Sequence, residues 1–171
     1  MTQEAFDTPQ PPVDAEIEQS PYKVGILTEY SPEVAAGIGN LMPQLDENFD
    51  SEPTPQDKLE RIIASPDRCQ IVGYDNNGGV VAAATMNTLM GAGKQTEGWL
   101  EDFVVDESVR GSGVATQMWN EMGNWCRSQG LTQFSFGTET TREDAVSFYE
   151  KQGAVTDPTS RHLTFILPEA R

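Results

Sequence analysis

One passage restricts this chain more than any other: the run Trp99-Leu100-Glu101-Asp102-Phe103-Val104-Val105, continued by Asp106-Glu107-Ser108-Val109-Arg110-Gly111-Ser112-Gly113 and then by Val114-Ala115-Thr116. The first seven residues read as a strand. From Val114 an apolar stripe runs through Met118, Trp119, Met122, Trp125 and Cys126 at helical spacing, until Gln129-Gly130 supply a C-cap. A strand that passes through a glycine-bearing loop straight into a helix leaves the free N–H groups of the first helical turn beside a backbone with few Cβ atoms. The helix dipole adds partial positive charge there, so a phosphate or pyrophosphate is well received. Glycines between strand and helix also serve as plain turns, and the spacing is neither of the two familiar nucleotide patterns. No Gly-Lys-Ser/Thr follows, and the third glycine of a dinucleotide fingerprint is missing.

The elements around this passage can be read from periodicity. Tyr22–Thr28 is a short β-branched run, and Pro32 opens a helix whose Val34, Ala35, Ile38, Leu41, Met42 and Leu45 fall on one face. Thr54-Pro55-Gln56-Asp57 reads as an N-cap hydroxyl with proline at the first helical position, ahead of Leu59, Ile62 and Ile63. Cys69–Tyr74 and Val80–Met86 form a hairpin about Asp75-Asn76-Asn77-Gly78-Gly79. After the glycine-loop helix, Gln133–Thr138 alternates like a strand, Arg142–Gln152 reads as a helix closed by Gly153, and His162–Leu167 is a last strand. The order β-α-α-β-β-β-α-β-α-(β)-β predicts an α/β (α+β) fold, a mixed sheet with helices on its faces.

A length of 171 residues suits one domain at roughly 100 to 200 residues each. Residues 1–21 hold four prolines and five acids with no Lys or Arg, and are expected to be a disordered tail ahead of a domain over 22–171. Neither a secretory start nor an apolar run of membrane-spanning length is present, so the expected setting is the cytosol, away from a membrane. Two cysteines and the single His162 cannot build a clustered zinc site, and His162 has no nucleophile motif near it, so neither a metal nor a Ser-His-Asp mechanism is expected. The net charge of -16 repels a nucleic-acid backbone. The same field attracts amines, although a solvated acidic surface accounts for it as well.

Arg110, Gly113 and Ala115 resemble the coenzyme A loop of the GNAT superfamily, whose pattern is Gln or Arg, two residues, Gly, one residue, then Gly or Ala. Leu100–Asp106 is similar to that family's fourth strand. Ala145-Val146-Ser147-Phe148-Tyr149-Glu150-Lys151-Gln152-Gly153-Ala154 resembles its last-helix signature. The likeness is strongest over 97–154. Ala154 departs from the usual aromatic, and Arg142 stands where many members place a cofactor-holding Asn.

The resemblance implies a mostly antiparallel mixed sheet of roughly six to seven strands flanked by about four helices. It further implies acetyl-CoA as cosubstrate, with no metal, and acetyl transfer to a primary amine by direct attack. Gly111, Ser112, Gly113, Val114, Ala115 and Thr116, with Arg110, would grip the pyrophosphate. Fourth and fifth strands would splay, and the backbone of Phe103, Val104 and Val105 would pair with the pantetheine arm and polarise the thioester carbonyl. Tyr149 would protonate the leaving thiolate, and a carboxylate would serve as base: Glu101 first, with Glu97, Asp102 and Glu139 competing. A non-catalytic acyl-CoA sensor of the same fold, and an unrelated ATP- or NAD-binding domain, are the rival readings. The acceptor is an amine-bearing small molecule or a protein amine, and a homodimer is left open.

Overall fold

The computed structural model describes residues 20–93, 95–139 and 141–158. The expected tail up to residue 19 and the expected strand at 162–167 lie outside those residues. The chain divides into two compact units, Met1–Phe136 and Gly137–Arg171.

In the first unit the order is β1 (Lys23–Ile26), α1 (Pro32–Leu45), α2 (Gln56–Ile63), β2 (Arg68–Tyr74), β3 (Val80–Leu89), β4 (Glu97–Val105), a 3-10 turn (Glu107–Val109), α3 (Val114–Ser128) and β5 (Phe134–Ser135). The second unit holds α4 (Glu143–Lys151). Helix α1 starts where Ser31 Oγ accepts the Val34 N–H and Pro32 fills the first turn. Helix α2 differs from its sequence reading. It begins at Gln56 with Pro55 as N-cap and no side-chain cap, and the Thr54 N–H is turned back onto the Ala35 carbonyl of α1 at 3.0 Å.

The sheet runs β1-β2-β3-β4-β5. Chain neighbours β1 to β4 pair antiparallel through hairpin-scale or helical connections, while β5 returns through the α3 crossover and therefore lies parallel to β4. This is the mixed, mostly antiparallel fold expected, with five strands among the described residues. The expected strand over Gln133–Thr138 contracts to the two residues of β5.

Alternation along the strands gives the sheet two apolar faces. Ile71, Ala82, Ala84 and Met86 pack on the α3 side against Met118, Met122 and Trp125, and Val72 and Ala83 pack on the other side against Ala35, Ile38, Leu41 and Leu59. Strand β4 breaks the alternation. Leu100 lies on the α3 side, yet Val104, four residues on, lies on the α1 side. A period of two would put both on one face. The break is a bulge: Thr85 faces Glu101 and Ala83 faces Val104, so Ala84 alone is opposed by Asp102 and Phe103.

Candidate functional site

Asp102 has φ 51°, and no other non-glycine among the described residues has a positive φ. An aspartate tolerates this left-handed conformation better than most residues but still pays in strain, which persists only where the surrounding ladder imposes it. The bulge turns Phe103 and Val105 toward the α3 cluster, where their side chains are partly buried, so any role they have toward a ligand lies in the backbone.

Past Trp99, β4 loses its parallel neighbour. It pairs with β5 only at Gly98↔Phe134 and Trp99↔Ser135, and Leu100–Val105 have no β5 partner in the register. The two strands touch tightly where they do pair: a Cβ on Gly98 would lie 2.7 Å from Phe134 Cβ and 2.8 Å from Cys126 Sγ. Glycine at 98 permits contact at one end of β4, and the ladder with β5 stops short of the other.

That far end of β4 leads into the glycine loop. Gly111 and Gly113 have φ 77° and 93°, and an added Cβ at either would meet nothing within 4 Å. Gly113 is the N-cap of α3, with no side-chain cap and no acid in the first turn. The Gln117 N–H, bonded to the Gly113 carbonyl at 3.1 Å, opens the helical ladder, which leaves Val114, Ala115 and Thr116 as the amides a helix start always presents. The loop is held from two directions. Arg110 Nε donates to the Val105 carbonyl at 3.2 Å, and Gln44 from α1 donates to Asp106 Oδ2 at 3.2 Å while its Oε1 accepts the Glu107 N–H at 2.8 Å. Hydrogen bonds from Ser108, chiefly its hydroxyl, hold the Asp106 carboxyl below its usual range, with Gln44 and Arg110 adding to the effect against a partial desolvation. Positive-φ glycines, open space and an uncapped helix start together fit a diphosphate.

The candidate bases occupy different surroundings. Glu101 is exposed and accepts the Trp99 Nε1–H at 2.6 Å; Glu97 accepts from Gln133 and Ser135, each at 2.8 Å. Glu139 is exposed in the second unit. Asp102 instead lines a cavity of about 330 Å³ on the α1 side of the sheet, shared with Ala83 and Thr85 and with the segment between α1 and α2. That segment, Asp46-Glu47-Asn48-Phe49-Asp50-Ser51-Glu52, escaped the sequence reading. Its concentration of acids was the available signal, but nothing local said that it folds over a cavity.

Tyr149 belongs to the second unit, on α4, half-buried with its ring 5.6 Å from that of Phe148. Burial pushes its phenol up, opposed in part by Arg142. Helix α4 closes where Gly153, at φ 88°, donates to the Glu150 carbonyl. Among the described residues no group of three or more His, Cys, Asp or Glu could hold a metal ion. Nor is any described helix long and apolar enough to cross a membrane.

Residues 27–154, three quarters of the chain and both the glycine loop and α4, match the sequence profile of the Acetyltransferase (GNAT) family. The chain is a member of the GNAT acetyltransferase family. Solved structures agree on the fold. An aminoglycoside acetyltransferase from an uncultured soil metagenomic sample superposes with a TM-score of 0.74 at 16% identity, covering 90% of this chain and 100% of its own. Glucosamine-6-phosphate N-acetyltransferase from Arabidopsis thaliana gives 0.68 at 21% identity over 85% and 99%, and an acetyltransferase from Trypanosoma brucei gives 0.64 at 20% over 84% and 99%. Comparison with curated proteins finds no match. For this GNAT protein, the parallel β4–β5 contact ending at Trp99 and the open loop at Gly111–Thr116 are the features on which a function must be built.

Proposed function

We propose that this GNAT protein transfers the acetyl group of acetyl-CoA to a primary amine by direct attack within a ternary complex. The observation that carries the reading is the continuity of the β4 segment that runs on past the β5 ladder, Leu100–Val105, with the uncapped start of α3. A pyrophosphate at the amides of Gly111, Gly113 and Val114–Thr116, with the Ser112 N–H held by the Val109 carbonyl at 3.2 Å, would leave the attached arm to run along β4. Backbone groups of Phe103 and Val105 would pair with that arm, Val104 turning its own toward β3, and an N–H at the bulge would stabilise negative charge developing on the carbonyl oxygen. Acetyl-CoA brings the thioester whose C–S bond breaks as the C–N bond forms.

The remaining work is proton transfer. The attacking amine must be neutral, and the departing sulfur is a better leaving group once protonated. We assign the base to Glu101, whose carboxylate is solvent-accessible beside the bulge, and the acid to Tyr149. A phenol pushed above its ordinary value of 10.0 keeps its proton at neutral pH, as an acid must. Arg142, in place of the Asn common in the family, leaves one cofactor contact to be made differently.

The test is thiol release from acetyl-CoA measured against a panel of amines, alongside acetyl-CoA binding by calorimetry. Amine-dependent release is expected. Tight binding without release under every amine would convert the assignment to a sensor, and protection by ATP or NAD but not by acetyl-CoA would overturn both.

A further inference from the structure

We propose that the acceptor is a small amine with two positive charges separated by an apolar stretch, bound in the cavity between the sheet and the α1–α2 connection. The acetyl-transfer reading supplies its chemistry; the binding argument stands on the cavity.

Size comes first. About 330 Å³ is room for roughly eleven waters, enough for a compact small molecule and at the small end of ligand pockets. Charge comes second. The lining carries Asp50, Glu52 and Asp102 against a single Lys58, a net of two negative charges. All three carboxylates are exposed, so they stand where an arriving cation meets them while keeping their own hydration. They come from different elements, Asp102 from β4 and the others from the α1–α2 connection, and line one cavity together.

The rest of the lining sets what lies between the charges. Ile38, Met42, Ile62 and Ala83 give an apolar wall, and Phe49, 47% exposed, offers an aromatic face at which an ammonium is also attracted. The buried polar groups are occupied with each other: Thr85 Oγ1 donates to Gln70 Oε1 at 3.1 Å, and Gln70 Nε2 donates to the Ala84 carbonyl at 3.0 Å. They make no demand for a hydroxyl-rich ligand. A phosphorylated acceptor would have only Lys58 to answer it, against three carboxylates. Finally, Asp102 is the strained bulge residue, so the carboxylate that reaches the cavity is carried by the backbone distortion that also breaks the alternation of β4.

The experiment measures binding by calorimetry to the full chain with 1,5-diaminopentane, n-pentylamine and glucosamine 6-phosphate, and separately thiol release from acetyl-CoA with each. The diamine should bind about two- to five-fold tighter than pentylamine, as expected for one further ion pair at a solvent-exposed position, and raised salt should narrow the gap. Asp102→Asn and the double variant Asp50→Asn/Glu52→Gln should each weaken diamine binding by about two- to five-fold. Asp67→Asn, which removes the same charge from an exposed position outside the lining, should not. Equal binding of pentylamine, preference for the phosphorylated sugar, or an equal effect of Asp67→Asn would overturn the assignment. Transfer to those other amines with no diamine preference would sink this inference and leave acetyl transfer standing. Diamine binding as described with no thiol release would do the reverse.

Discussion

Two mid-helix glycines should respond to alanine with opposite signs. In an exposed helix Gly→Ala stabilises by about 0.5–1 kcal/mol, because alanine has less backbone entropy to lose. Gly123 in α3 is half-buried but has room: its added Cβ would lie 3.4 Å from an Arg127 guanidinium nitrogen, the far end of a side chain that can swing aside. Gly39 in α1 has no such room. Its Cβ would lie 2.1 Å from the Glu52 carbonyl oxygen, 2.7 Å from the Glu52 carbonyl carbon and 3.1 Å from Pro53 Cα, all backbone. The 52–54 segment is pinned to α1 by the Thr54 N–H on the Ala35 carbonyl, so it must retreat by about an ångström and strain that bond. Overpacking at about 1–3 kcal/mol and a weakened hydrogen bond at about 1 kcal/mol outweigh the helical gain, for a net loss of about 1–3 kcal/mol. Urea unfolding should therefore give Gly39→Ala a lower midpoint and Gly123→Ala a higher one, at unchanged slope. Because Glu52 lines the acceptor cavity, Gly39→Ala should also raise the KM for amine while acetyl-CoA affinity holds. A Gly39→Ala protein as stable as its parent would refute the close crossing of the 52–54 segment over α1.

Other expectations follow from the same geometry. Gly113→Asp is strained at the φ of 93°, and its carboxylate would occupy the amides offered to the diphosphate; calorimetry on protein that still unfolds cooperatively should show acetyl-CoA binding lost, and retained affinity would remove the loop from the site. Tyr149→Phe should lower kcat with little change in acetyl-CoA affinity. Since burial raises the phenol above 10.0, the parent's rate should show no loss from this group until the pH exceeds that value, and equal rates for mutant and parent would exclude Tyr149 as the acid. The Asp106 carboxyl is depressed below its ordinary 3.8, so its contribution to stability is present above that pH and fades as the pH falls through the lower folded value. The melting-temperature gap between parent and Asp106→Asn should be widest above pH 5 and shrink toward pH 3; a gap independent of pH would contradict the Ser108 and Gln44 network.

What the linear chain determined was local. Apolar spacing specified α1, α3 and α4 to within a residue or two, Asp75–Gly79 specified the β2–β3 hairpin, and Arg110, Gly113 and Ala115 with the α4 signature were enough to point to the family, because each depends on neighbours a few positions apart. What the tertiary structure decided was everything that depends on two distant segments meeting. Thr54 reads as a helix cap, yet its amide is drawn to Ala35 nineteen positions earlier. The β4 bulge exists only against its ladder with β3, since Asp102 and Phe103 are extra solely by comparison with Ala84. The acceptor cavity gathers Asp50, Glu52 and Asp102 from segments with no common period, and no reading along the chain could tell those carboxylates from the many that face only water.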